Sequence, residues 1–108
     1  MLSLEDIREH CDQIAELVRG MSCEEFLADR LTYKAVSYSL VVIGVVVKQL
    51  PLDTRTSAAE VERDRFTELS AVLVERYFAL DDRIVWNAAT ASVPELRMQV
   101  QGILDDLN

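Results

Sequence analysis

The sequence predicts an all-α fold: a compact, mostly antiparallel up-and-down bundle of four to five helices, formed by a single domain over residues 1–108. Three observations predict it. Only three glycines (Gly20, Gly44, Gly102) and two prolines (Pro51, Pro94) punctuate 108 residues, too few turns for an all-β domain. Apolar residues recur along most of the chain at spacings of three and four. A chain of this length buries roughly 65% of its unfolded surface, which supports one core and no second.

Each element has its own local signal. Ser3 followed by Asp6 resembles a capping box, and Leu4, Ile7, Cys11, Ile14 and Val18 then fall on one helical stripe that Gly20 ends. Ser22 as N-cap, Glu25 reaching back to it and a Met21–Phe26 staple open a short helix, SCEEFLADR. From Leu31 to Leu50 the chain is apolar on nearly every side, and the run LVVIGVVV would also suit a buried strand. Its lead-in favours a helix: Leu31, Ala35, Tyr38, Val42 and Val45 or Val46 keep helical spacing, and Pro51 closes the segment. Such a helix has to be covered all round, by the rest of the bundle, by a partner subunit, or by both.

Leu52 to Ala59 reads as a loop, and Val61 to Phe78 as the next helix. Asp81 and Asp82 oppose the positive end of a new helix, which would bury Ile84, Val85, Ala88 and Ala89. Ser92 is the expected cap of a last helix that tolerates Pro94 in its first turn and presents Leu96, Val100, Ile103 and Leu107.

Nineteen acidic against eleven basic residues give a net charge of −8, which repels a phosphate backbone and excludes a general DNA- or RNA-coating protein. The two cysteines, Cys11 and Cys23, form no CxxC pair and read as small core residues of a reducing cytosol. The amino terminus lacks a signal-peptide pattern. The apolar stretch between Lys34 and Lys48 is thirteen residues long, too short to span a bilayer. A soluble cytoplasmic protein without a membrane partner is expected.

No glycine loop for a nucleotide is present, and the lone His10, preceded three residues earlier by Ile7, supplies no Glu-x-x-His metal pair. No cofactor and no metal are expected. His10 falls beside the first apolar stripe as a rim residue, and the acidic pairs Glu24-Glu25, Asp81-Asp82 and Asp105-Asp106 read as solvated charge.

An ordered set of residues is more specific. Glu25, Phe26, Leu27, Asp29 and Arg30, then Ile43, Gly44, Lys48, Leu50 and Pro51, then Tyr77, Phe78, Asp81, Ile84, Val85, Trp86, Pro94 and Leu96 resemble the HEPN superfamily. More closely, they resemble the HepT-like toxin subunits encoded beside minimal nucleotidyltransferases. The resemblance covers nearly the whole chain. It implies a HEPN-like bundle that forms a homodimer, with its functional groups near the dimer cleft. It also implies metal-independent cleavage of RNA through an Arg, four spacers, a His, one spacer and a Tyr. In that chemistry the Arg holds the scissile phosphate while the His moves the proton of the attacking 2′-hydroxyl. The Tyr can accept nucleotidyl groups that silence the toxin.

Anchored on Tyr77 and Phe78, however, Ser70 stands at the Arg position and Glu75 at the His position, while Val45 replaces an acidic residue of the apolar helix. Ser70 brings no charge to a phosphate, and Glu75 repels one. Arg76 is turned away by about 100°, and His10 would have to arrive from the first helix by coincidence. Tyr77 remains as modification acceptor or as packing beside Phe78. The leading expectation is therefore a degenerate HepT-like protein of a toxin–antitoxin type module, a dimeric partner of a nucleotidyltransferase or of another HEPN subunit. The alternatives are an active ribonuclease with a rearranged cleft, for which RNA becomes a partner, and a structural dimer scaffold built on Leu31 to Leu50.

Overall fold

The computed structural model of the protein describes residues 4–49, 57–75 and 82–107. The order is α1 (Leu4–Val18), α2 (Cys23–Ala28), α3 (Arg30–Gln49), α4 (Ser57–Glu75), α5 (Asp82–Asn87), a π turn (Ala88–Ser92) and α6 (Val93–Leu107). No strand occurs among the described residues, so the all-α expectation holds. α5 and α6 run on through the π turn, which leaves five rods. α3 lies between α1 and α4, α6 packs on the other side of α1, and α2 docks on α3 and α5.

In α1 the expected stripe is the buried one, with Leu4, Ile7, Cys11 and Ile14 all in the core and Val18 packed at its edge. Ser3, its expected cap, lies outside the described residues. Gly20 follows at φ +73°, a left-handed conformation that other residues enter at a cost. Both cysteines are free thiols. Burial, and after it the negative charge of Asp12, pushes the Cys11 thiol up to about 12. Because the thiolate is the nucleophile, Cys11 will resist alkylation of the native protein at pH 8 while the half-buried Cys23 reacts. Counting labelled thiols with and without denaturant, one and then two, checks this.

The corner between α2 and α3 is fixed almost entirely by local chemistry. The Ser22 hydroxyl accepts from the Glu25 N–H at 3.1 Å, and the Glu25 carboxylate accepts from the Ser22 N–H at 2.9 Å, completing the capping box. Asp29 ends α2 by donating its N–H to the Glu25 and Phe26 carbonyls. The same residue starts α3, because its carboxylate accepts from the Thr32 N–H at 3.1 Å and from the Thr32 hydroxyl at 2.9 Å. Those two donors, the backbone one first, hold the Asp29 carboxyl below its ordinary range. A depressed carboxyl stabilises the fold above the unfolded carboxylate range and stops doing so as pH falls through its folded value. Acidification below pH ~4 should therefore loosen the α2–α3 corner. A pH titration comparing the wild type with Asp29→Asn should show this acid-side dependence reduced in the variant.

α3 is a helix as its lead-in implies, and the bundle covers one side of it. Its buried line is Tyr33, Val36, Leu40, Ile43, Val46 and Val47, whereas Leu31 is 81%, Tyr38 68% and Val45 43% exposed. Of the helically spaced positions Leu31, Tyr38 and Val45 face out, while Val46, the alternative to Val45, is buried and Val42 packs at the edge of the core. α3 is also longer than the interval between its lysines: at twenty residues it meets the length and composition of a membrane span, with half of that window buried by the rest of the fold.

α4 begins at Ser57, four residues before the expected Val61, since Ala58, Ala59 and Glu60 all favour helix. The remainder of the expected loop, the Pro51 stop and the end of this helix beyond Glu75 lie outside the described residues. α4 buries Phe66, Ser70 and Leu73. Phe66 and Ser70 both approach Gly44, and Ser70 also reaches Val41, so α3 and α4 are antiparallel.

α5 and α6 correct two further expectations. Ile84 is 44% exposed, and the inner side is built by Val85, Ala88 and Ala89 with Trp86 against Phe26 at 5.3 Å between ring centroids. Ser92 caps nothing, because the helix does not restart there: the Val93 N–H donates to the Ala88 carbonyl, five residues back. Pro94 explains this. It has no N–H to donate, and its ring crowds the carbonyl four residues earlier, so the turn before it widens. Beyond it Val93, Leu96 and Val100 are buried and Ile103 packs at the edge of the core. Asp12 accepts from Arg97 at 2.9 Å in an exposed contact, and Gln101 from Arg8 at 3.1 Å in a part-buried one, both across α1 and α6.

Candidate functional site

α4 carries Ser70 and Glu75, the two positions that the resemblance sets against an Arg and a His. Ser70 lies on its inner side and is 8% exposed, with its hydroxyl donating to the Val41 carbonyl at 3.3 Å and its Cβ turned toward Gly44. A helix rotates about 500° over five residues, which puts Glu75 about 140° away from Ser70 around the axis. Glu75 is exposed accordingly. One residue is thus used in packing two helices together and the other projects a negative charge into water. Neither can polarise a phosphodiester as Arg and His would. Arg76 and Tyr77 lie outside the described residues.

Val45, on α3 next to the Gly44 contact, is half exposed and brings no charge to this surface. One turn beyond Ser70, Val74 falls at the level of Tyr38, and both are exposed, at 67% and 68%. The outer surface of α3 and α4 is therefore apolar where the resemblance implies polar groups. The sequence reading has Val45 at a position of the presumed cleft and Tyr38 on a helix that the bundle or a partner subunit has to cover.

His10 does not repair the site. Its Nδ1 lies 3.3 Å from the Ser39 hydroxyl, and Ser39 is 200° around α3 from Val41, on the flank that meets α1 rather than α4. The rim position expected of His10 is where it sits. Among the described residues no three His, Cys, Asp or Glu side chains gather at one point.

Most of the motif residues among those described hold the scaffold. Glu25 and Asp29 are caps, and Phe26 is fully buried against Tyr33 and Trp86. Arg30 joins the start of α3 to α5 by donating to Asp82 at 2.9 Å while its guanidinium lies 4.2 Å from the Tyr33 ring centroid. Gly44 admits α4, and Pro94 shapes the α5–α6 junction.

The HepT-like family, described as Ribonuclease HepT-like, matches residues 7–103. A Caldanaerobacter subterraneus protein named "Putative RNase" is 35% identical over 94% of this chain and 90% of its own length. A Methanocaldococcus jannaschii protein of the same name is 34% identical over 96% and 86%. A Thermococcus cleftensis protein named "Probable ribonuclease HepT" is 32% identical over 87% and 86%. No solved structure matches the chain. With the match spanning almost every described helix, and with the cap, core and close-contact residues in place, the chain belongs to the HepT-like ribonuclease family.

Proposed function

We propose that this protein is a degenerate HepT-like member of a toxin–antitoxin type module, a homodimer that has lost ribonuclease chemistry. It acts as a soluble, cytoplasmic binding partner of a minimal nucleotidyltransferase or of another HEPN subunit. The observation that carries this reading is the placement of Ser70 and Glu75, one packed against Gly44 and the other an exposed anion. A positioned proton-transfer group contributes about 10²–10⁴-fold to rate, and a preorganised charge stabiliser contributes about 10²–10³-fold. Loss of both leaves a rate at least about 10⁴-fold below that of a cleft containing the pair.

The test is incubation of the purified protein with RNA beside a family member that has the Arg and His. The expected result is intact RNA. Cleavage that disappears in Glu75→Gln or Tyr77→Phe would overturn the reading. It would establish instead the second one, a ribonuclease with a rearranged cleft, which the names of the relatives favour. Growth arrest on expression, relieved by a neighbouring nucleotidyltransferase, would point the same way. Tyr77 has a separate readout: mass spectrometry after incubation with the cognate nucleotidyltransferase and ATP reports whether it accepts AMP.

A further inference from the structure

Gly20 is required by its positive φ and Gly44 by the approach of α4, but nothing inside the fold requires Gly102. It lies within α6 without a positive φ, and a Cβ there would meet nothing within 4 Å. Glycine is also the poorest helix former after proline. One turn earlier Met98 is 75% exposed. Glu95, Asp105 and Asp106 are exposed as well, and helical geometry sets all five residues within about 100° of arc. The buried Val93, Leu96 and Val100 lie on the opposite side. Arg97, the one basic residue of α6, is turned toward α1, where it donates to Asp12 at 2.9 Å.

We propose that this outer face of α6 is a docking surface for a basic amphipathic helix of another protein. The proposal rests on the binding-partner reading above and adds the surface that a partner uses. A position without a side chain lets a second helix approach closely. The Met98 side chain, unbranched and flexible, fits itself to the apolar residues that such a helix brings. The carboxylates choose among occupants. A second copy of this chain would bring Glu95, Asp105 and Asp106 near their own counterparts about a two-fold axis, which like charges disfavour. A phosphate backbone and an anionic lipid surface are repelled in the same way. A helix with Lys or Arg on either side of an apolar stripe answers both features: the stripe crosses Gly102 and packs on Met98, while its cations face the three carboxylates.

Fluorescence anisotropy of the full chain with a labelled synthetic peptide, two Lys-Leu-Ala-Lys-Leu-Ala-Lys heptads in series, tests this. Saturable binding with a dissociation constant of about 10 µM is expected at low salt. Met98→Arg and Gly102→Leu should each raise that constant about 30-fold. Gly102→Leu should at the same time raise Tm by about 4 °C, so its loss of binding is not a loss of folding. Asp105→Lys should weaken binding about 10-fold, whereas Glu24→Lys, the same change of net charge at an exposed position on α2, should leave it unchanged. Absence of binding, equal weakening by Asp105→Lys and Glu24→Lys, or indifference to both Met98→Arg and Gly102→Leu would overturn the α6 surface and leave the partner reading standing. A fall in sedimenting mass on Met98→Arg would overturn it in favour of a second copy. Cleavage of RNA by the wild type would overturn the loss of catalysis without touching this surface.

Discussion

Gly44→Ala will destabilise the protein by about 2–3 kcal/mol, close to the upper end of what one added methyl costs in a packed interior. A Cβ at this position would overlap the Ser70 Cβ and lie 2.7 Å from the Phe66 carbonyl oxygen and 2.9 Å from the Ser70 hydroxyl oxygen. Ser70 has no long flexible end that could swing aside, and the Phe66 oxygen is backbone. Relief therefore requires α3 and α4 to separate, which loosens the buried Ile43, Phe66 and Leu73 together. For a domain of this size the expected fall in Tm is roughly 10–20 °C. Ser70→Gly in the same chain removes one of the two obstacles and should recover part of the loss. A double-mutant cycle on thermal or urea unfolding reads the coupling directly. Equal destabilisation with and without Ser70→Gly would mean that the close approach is not the cause.

Phe26→Ala is expected to cost about 3–5 kcal/mol. Phe26 is fully buried from a helix of only six residues, and it is the ring that joins α2 to the rest of the core, 5.8 Å from Tyr33 and 5.3 Å from Trp86 between centroids. A short helix has little intrinsic stability, so α2 depends on this side chain to stay docked. Its loss leaves a cavity bordered by two aromatic rings and removes one face of the only tryptophan. Unfolding by urea gives the energy, and a red shift of Trp86 fluorescence in the native variant reports the opened contact. Phe26→Leu fills most of the space without the ring geometry and should cost about half as much.

These two sites differ in how openly the sequence announces them. Phe26 is visible as the hydrophobic partner of a capping box, because capping and stapling are interactions between residues a few positions apart. The same holds for the α1 stripe, for Gly20 and for the Ser22–Glu25 box, each of which the structure places as expected. Gly44 is legible only as a glycine inside an apolar helix. Its reason is a contact with Phe66 and Ser70, more than twenty residues away. Pro94 was expected in the first turn of a separate helix. Pro94 does lie in the first turn of α6, but that helix is not separate: the π turn Ala88–Ser92 carries α5 into it.

The functional surface divides in the same way. The reading that sets Ser70, Glu75 and Val45 at positions where the resemblance implies charged or catalytic groups comes from the sequence alone, because it compares residue identities in a motif. The sequence by itself also determined the all-α class, through periodicities and caps that act within one or two helical turns. Only the tertiary structure decided that Ser70 is packed against Gly44, that His10 belongs to the α1 flank of α3, and that Leu31, Tyr38 and Val45 face outward. A helix apolar on every side has no preferred inside of its own. Its inside is chosen by which neighbours reach it, and here α1 and α4 cover Tyr33, Val36, Leu40 and Ile43 and leave Leu31, Tyr38 and Val45 exposed.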